Sequence, residues 1–298
     1  MTPVIESQSL CKRYGKARAI ENISIVVEAG EVYGFLGPNG AGKTTTIRTL
    51  LDLLHPTSGR ALIFGMDSHE RSRDIRARSG NLPGDFTCDP RLTGREFLAF
   101  CAHARGIDGL GSASILAQRF EADLDRRIKH LSKGNRQKIG LIQAVFHGPE
   151  LLVLDEPTTG LDPLMQEEFL SLVREHRDRG GTVFLSSHDL DEVERVCDRV
   201  AIIREGRLAA VEDVADLRGR AYHRVSIEFD RPVPWGEFED IGGVSDLEHD
   251  GARVAFKISG PLDPVIKTAA AHTVLDMELT EPTLEEIFLT YYQRDEVS

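Results

Sequence analysis

Short, continuous apolar runs punctuate the first two thirds of this chain. Val32-Tyr33-Gly34-Phe35-Leu36, Leu151-Leu152-Val153-Leu154 and Val183-Phe184-Leu185 lack the polar alternation of a half-exposed strand. Such runs fit strands covered on both faces. Between them the period changes to that of a helix, as at Ile47, Leu50, Leu51 and Leu54. This alternation through residue 210 predicts an α/β fold with a mostly parallel sheet. Val4–Ser9 and Ile23–Val27 predict an antiparallel pair, and Ala61–Phe64 a further short strand. Val200–Arg204 reads as a strand ending in a Glu205-Gly206 turn. From about 93 to 147 strands stop, and helical spacing takes over at Glu96-Phe97-Phe100 and Ile139-Ile142-Phe146. A helical subdomain over about 86–147 follows.

After Gly219-Arg220 the rhythm changes again. Arg224–Phe229 reads as a strand, and Leu247-Glu248 and Val254–Ile258 flank an Asp250-Gly251 turn that favours a hairpin. Asp263–His272 predicts a helix and Val274–Leu279 a strand. Thr283-Leu284-Glu285-Glu286 opens a last helix with Ile287, Leu289 and Tyr292 on its apolar stripe. The order suits a small α+β unit of ferredoxin type with a short first helix. Charge supports the division, because residues 221–298 hold 16 acidic and 6 basic residues. That quarter carries −10 of the chain's −12, which makes two domains, 1–220 and 221–298. An acidic unit of this kind argues against nucleic acid as a partner. Trp235, the only tryptophan, is expected to pack within it.

Length and composition add bounds. With 298 residues and 41% hydrophobic content the chain can build packed cores. No apolar stretch approaches the roughly 18–20 residues that span a bilayer, and no signal-peptide pattern opens the chain. Any membrane role is therefore expected to come through another chain. Cys11, Cys88, Cys101 and Cys197 show no metal-ligand spacing and read as reduced thiols.

The chemistry begins at Gly37-Pro38-Asn39-Gly40-Ala41-Gly42-Lys43-Thr44, which fits the phosphate-cradling pattern G-x-x-x-x-G-K-[ST]. A strand precedes it and a helix follows. The glycines let backbone N–H groups turn toward phosphates, and the helix start adds partial positive charge. Asn39, Gly40, Ala41, Gly42, Lys43, Thr44 and Thr45 are the expected cradle of a nucleoside triphosphate. Lys43 reaches the β- and γ-phosphates, and the Thr44 hydroxyl is placed for Mg²⁺. Downstream, the apolar strand Leu151–Leu154 ends in Asp155-Glu156. Carboxylates at a strand's C-terminal edge stand where α/β sheets bind ligands. Asp155 is expected to hold Mg²⁺ and Glu156 to polarise the attacking water.

These motifs together resemble the ATP-binding cassette (ABC) ATPases, a group of P-loop NTPases, over residues 1 to about 215. Leu131-Ser132-Lys133-Gly134-Asn135, Asp155-Glu156-Pro157, Gly160-Leu161-Asp162 and Ser187-His188 follow the phosphate loop in that family's order. The resemblance implies that Ser132 and Gly134 contact the nucleotide held by a second subunit, so two copies close head to tail around two ATP molecules. Tyr14 looks like the aromatic that stacks on adenine. His188 corresponds to the histidine that bonds the γ-phosphate and the attacking water, and Asp162 to a residue that communicates across the dimer. Lys12, Arg13, Lys16 and Arg18 read as a solvated face.

Two departures stand out. The family places Gln or Glu, a Mg²⁺ ligand, where this chain has Gly84; Asp85, one residue on, offers a carboxylate. Lys133 and Asn135 stand where Gly and Gln are more usual, while Ser132 and Gly134 are kept. Residues 222–298 resemble the C-terminal extension of ABC-2 type exporter ATPases, most strongly at Glu281–Phe288. The implied function is an ATP-hydrolysing subunit on the inner face of the membrane, driving a separate transmembrane permease. A soluble mechanical ATPase acting on ribosomes or DNA, and a binding-only switch suggested by Gly84, are the alternatives.

Overall fold

A computed structural model describes residues 3–219 and 223–280, with the side chains of 218 and 219 left aside. The chain divides into two compact units, Met1–Val214 and Ala215–Ser298. The expected boundary at 220 and 221, the final helix with Ile287, Leu289 and Tyr292, and the Glu281–Phe288 run lie outside the described residues.

In the first unit the continuous apolar runs become the centre of a six-stranded sheet. Its order is Arg207–Asp213, Arg199–Arg204, Val32–Leu36, Thr182–Ser187, Leu151–Asp155, Ser79–Leu82. All neighbours are parallel except the first hairpin. Every residue of the three central strands is buried. Tyr33 and Phe35 project to one face, where both rings meet Phe184 at 5.8 and 5.5 Å. The phosphate-loop helix Lys43–Leu50 and a second, antiparallel sheet complete this core through Ile47, Leu50, Ile5 and Ile63. On the opposite face a Cβ at Gly34 would lie 3.0 Å from Cys197 Sγ and 3.2 Å from Val193, so helix Leu190–Val196 packs directly on that glycine.

The antiparallel sheet corrects one expectation. Its first strand does not stop at Ser9 but runs Ile5–Tyr14, and it pairs with both Ala17–Ile23 and Ser58–Ile63. The expected pair itself is present, Val26-Val27 lying beside Ile5-Glu6 and Ser7 N–H donating to Ile25 O at 2.9 Å. Ser9 sits at a φ of 48° where the pairing register with Ser58–Ile63 shifts. A bulge there breaks the alternation without ending the strand.

The stretch read as helical contains Gly94–Ala104, Gly111–Arg119 and Lys133–Val145. Thr93 and Glu96 close the first of these with a reciprocal capping box. Between His223 and Thr280 the C-terminal unit has the order strand, helix, strand, strand, helix, strand, and its sheet runs Val244–Asp250, Arg253–Ile258, His223–Phe229, Val274–Thr280. This is the ferredoxin-type arrangement, with a first helix of only Gly236–Glu239. Phe229, Phe238 and Phe256 fill its core. Trp235 stays outside that core, 41% exposed, with its ring stacked on His249 at 4.6 Å.

Candidate active site

Register brings the site together. Leu36 pairs with Ser187 and Asp155 with Ser186, so three parallel strands end flush. The phosphate loop, Glu156 and His188 are the next residues on each. Gly37 N–H donates to Ser187 O at 3.3 Å, joining the loop to the strand before His188. Two positions in the loop require glycine. A Cβ at Gly37 would lie 2.3 Å from Ile203 O, and Gly42 combines a φ of 108° with Ala19 O at 2.8 Å from such a Cβ.

Lys43 is buried at the first position of its helix. Its ammonium donates to Gly37 O and Pro38 O and pairs with Glu156 Oε1 at 3.0 Å. The other Glu156 oxygen, Oε2, lies 2.6 Å from His188 Nδ1. Glu156 itself holds a φ of 49°, with its N–H shared between Ser186 O and Ser186 Oγ at 3.2 Å each. A non-glycine residue in that region is strained, and the strain turns the carboxylate out of the strand toward the loop. The tertiary fold thus assembles three of the sequence candidates, Lys43, Glu156 and His188, into one chain of contacts. A 380 Å³ cavity fronts Lys43 and Glu156, with Asn39, Gly40, Thr44 and Thr45 among its lining. Ala41 is buried beneath, its carbonyl accepting from Gly206 N–H at 2.9 Å.

Asp155 is buried at the strand's last position and accepts from Ser186 Oγ at 2.6 Å through Oδ1. A Cβ on Gly84 would be 3.2 Å from the other oxygen, Oδ2, which places Gly84 against the Asp155 carboxylate. Asp85 is exposed.

The remaining candidates stand elsewhere in the unit. Ser132 caps helix Lys133–Val145, accepting from Asn135 N–H at 3.1 Å, and is exposed. Gly134 backs onto Gly160, whose carbonyl oxygen would meet a Cβ at 2.4 Å. Asp162 caps helix Pro163–Asp178 through Met165 N–H. None of these three lines the loop cavity, and neither does Tyr14, half exposed beneath the Lys12 ammonium at 5.5 Å. Arg18, read from the sequence as part of a solvated face, does line it.

Two contributors left no readable local signal. Gln137 donates from Nε2 to Glu156 O and Pro157 O at 3.3 and 3.0 Å, tying the Ser132 helix to the backbone that carries Glu156. Glu192 is buried under both arms of the site. One of its oxygens accepts from Ser187 Oγ at 2.6 Å and Thr158 Oγ1 at 3.3 Å. Burial pushes its carboxyl up to about 7 against the lowering hydrogen bond from Ser187, and the charges of Asp189 and Glu156 add to the rise. A larger cavity of 820 Å³ lies at the opposite, N-terminal ends of the strands, near Glu150 and Thr182, and contains none of these groups. Chemistry, not size, locates the site.

The comparisons agree with this geometry. The ABC transporter family matches residues 20–159. The chain is 39% identical over 302 residues to the bacitracin transport ATP-binding protein BcrA of Bacillus licheniformis, covering 97% of each. It is also 39% identical over 215 residues to the Nod factor export ATP-binding protein I of Burkholderia orbicola, covering 69% of each. Among solved structures, an ATP binding subunit of an ABC transporter superposes with a TM-score of 0.67 at 31% identity, over 72% of this chain and 92% of the other. A dimeric bacterial ABC transporter cassette shares the fold, with a TM-score of 0.66 at 22% identity over 70% and 98%. The protein therefore belongs to the ABC transporter family, as one of its ATP-binding, ATP-hydrolysing subunits.

Proposed function

We propose that two copies of this subunit close around shared ATP and so power export through a separate transmembrane permease, from the inner face of the membrane. The observation that carries the chemistry is the contact chain Lys43–Glu156–His188 at the mouth of the phosphate loop. Export is supported by relatives whose names specify bacitracin transport and Nod factor export. Among the described residues no helix is long and apolar enough to cross a membrane, which supports reading the pore as another chain's part.

Each residue has a physical part. The loop amides of Asn39 to Thr45 and the helix start bind the phosphates, and Lys43 contributes its charge. Lys43 already donates to two carbonyls and pairs with Glu156 Oε1, so a phosphate oxygen competes with that carboxylate for its ammonium. Once relieved of Lys43, Oε1 is free to take a proton from water, while His188 fixes the carboxylate through Oε2. Thr44 and Asp155 offer the hard oxygen ligands that suit Mg²⁺, and the exposed Asp85 supplies a further carboxylate beside Gly84. The ion would neutralise charge on the phosphates. Ser132 and Gly134 serve the partner subunit's nucleotide, Asp162 communicates across the dimer, and Tyr14 stacks on the adenine.

Steady-state ATPase assays on the parent and Glu156→Gln test the reading. Loss of the general base is expected to lower turnover by about 10²–10⁴-fold, with an ATP-dependent dimer accumulating on size exclusion. A parent no faster than the variant would sink hydrolysis at Glu156. Failure of the tagged chain to co-isolate any integral membrane protein would sink the export assignment alone.

A further inference from the structure

A second cluster of ligand-bearing side chains lies on the surface of the first unit, near the C-terminal end of the phosphate-loop helix. Asp52 follows helix Lys43–Leu50, His55 is three residues further on, and His69 follows the short strand Met66-Asp67. His55 Nδ1 lies 3.0 Å and His69 Nδ1 3.1 Å from the same oxygen, Asp52 Oδ1. One ligand atom from each of the three falls within 4.8 Å of the others. We propose that Asp52, His55 and His69 form a surface site for a zinc-class divalent transition-metal ion.

The distances carry the argument. Zinc with bonds of about 2.0–2.1 Å holds tetrahedral ligands about 3.3–3.4 Å apart. The two nitrogen-to-oxygen separations are 0.2–0.4 Å short of that, a difference that rotation of exposed imidazoles removes. The rings meet edge to face, at 4.8 Å between centroids and 89° between planes, so they do not stack face to face. Their freedom is matched by a fixed anchor. The Asp52 side chain is only 10% exposed, against 70% and 67% for His55 and His69. The His69 turn is pinned as well, with its N–H donating to Asp67 Oδ1 at 2.9 Å. Two imidazoles and one carboxylate select Zn²⁺, Co²⁺, Ni²⁺ or Cu²⁺ over Mg²⁺ and Ca²⁺, which take all-oxygen sets. Three protein ligands leave a fourth position for water or a ligand from another molecule. Binding would join the turn after the phosphate-loop helix to the turn at 67–69.

The test is calorimetric titration of Zn²⁺ into the full chain, nucleotide-free and with saturating Mg²⁺ to occupy all-oxygen sites. One equivalent is expected to bind, with His55→Ala and His69→Ala each weakening it at least 10-fold. Both histidines are exposed, so the variants keep the fold; circular dichroism and ATP binding confirm that independently. With Co²⁺ as the probe, the visible bands of an imidazole-ligated ion should appear in the parent and vanish in the double variant. Undiminished Zn²⁺ affinity in the His55→Ala/His69→Ala protein would overturn the proposal, since the ion would then sit on other groups such as Cys88 or Cys101. Absence of any binding at 100-fold molar excess of Zn²⁺ would overturn it equally.

Discussion

The strands that lead into the candidate site and the strands of the C-terminal unit draw on the same residue types but bury them in different ways. Val32–Leu36, Leu151–Asp155 and Thr182–Ser187 are buried at every position. In His223–Phe229 burial alternates: Val225, Ile227 and Phe229 point inward, and across the pair Val254 faces Ile227 and Phe256 faces Val225. A strand covered on both faces has nowhere to present a polar group except its end. The polar groups that follow these three strands therefore emerge at the flush C-terminal edge, as Glu156 and His188 do. The second sheet offers a whole polar face, and there the acidic residues are spread along it, as Glu228, Glu248 and Asp250 show. Concentration at an edge makes a site; distribution over a face makes a charged surface.

Phe238→Ala is the hardest blow to that contrast. Phe238 is fully buried between Phe229 and Phe256, at 6.0 and 5.6 Å between ring centroids. Truncation should cost the C-terminal unit about 3–5 kcal/mol, read as an earlier denaturant transition. Nucleotide affinity of the first unit should stay the same. A parallel loss of ATP binding would break the comparison, because the site would then depend on the second core.

Glu192→Gln sharpens the other side. With its carboxyl pushed up to about 7, Glu192 stays protonated in the folded chain at pH values where the unfolded chain has already ionised it. Stability from this group is therefore full below about pH 4.5 and falls as pH rises toward 7, by about 3 kcal/mol in total. The Gln variant removes that fall while its amide oxygen still accepts from Ser187 and Thr158. Urea midpoints at pH 5 and pH 8 measure it. An identical pH dependence in parent and variant would show that Glu192 ionises normally.

Asp162 gives the smallest effect. Its carboxylate caps helix Pro163–Asp178, so Asp162→Ala should cost about 1 kcal/mol while Asp162→Ser, which keeps a capping oxygen, costs a few tenths. If Asp162→Ser retains stability yet loses ATPase activity, the side chain does more than cap. Retained activity would leave it a cap alone.

Much of this was legible in the chain itself. The phosphate loop declares itself because its glycines, Lys43 and Thr44 are consecutive, and each needs only its neighbours to be recognised. The same holds for Asp155-Glu156, whose meaning comes from the apolar strand just before it, and for the ferredoxin-type order of the C-terminal unit. Tyr14 and Trp235 show the limit. An aromatic residue's exposure depends on what packs over it, and neither the half-exposed Tyr14 beneath Lys12 nor the stacking of Trp235 on His249 has a sequence pattern. The bulge at Ser9 hid the true length of the first strand for a related reason, since alternation cannot be followed through a register shift.

The sequence by itself determined that this chain cradles phosphate, because that loop is local and its geometry follows from glycine and the helix start. Only the tertiary structure decided what surrounds the cradle. Glu156 and His188 are 32 residues apart and meet at 2.6 Å because parallel registry aligns Asp155 with Ser186. The packing of helices and loops around those strands brings Glu156 to Lys43, places Glu192 beneath both Ser187 and Thr158, and sets Gly134 against Gly160. Strand register is set by the packing of whole faces, so no short stretch of sequence can announce it.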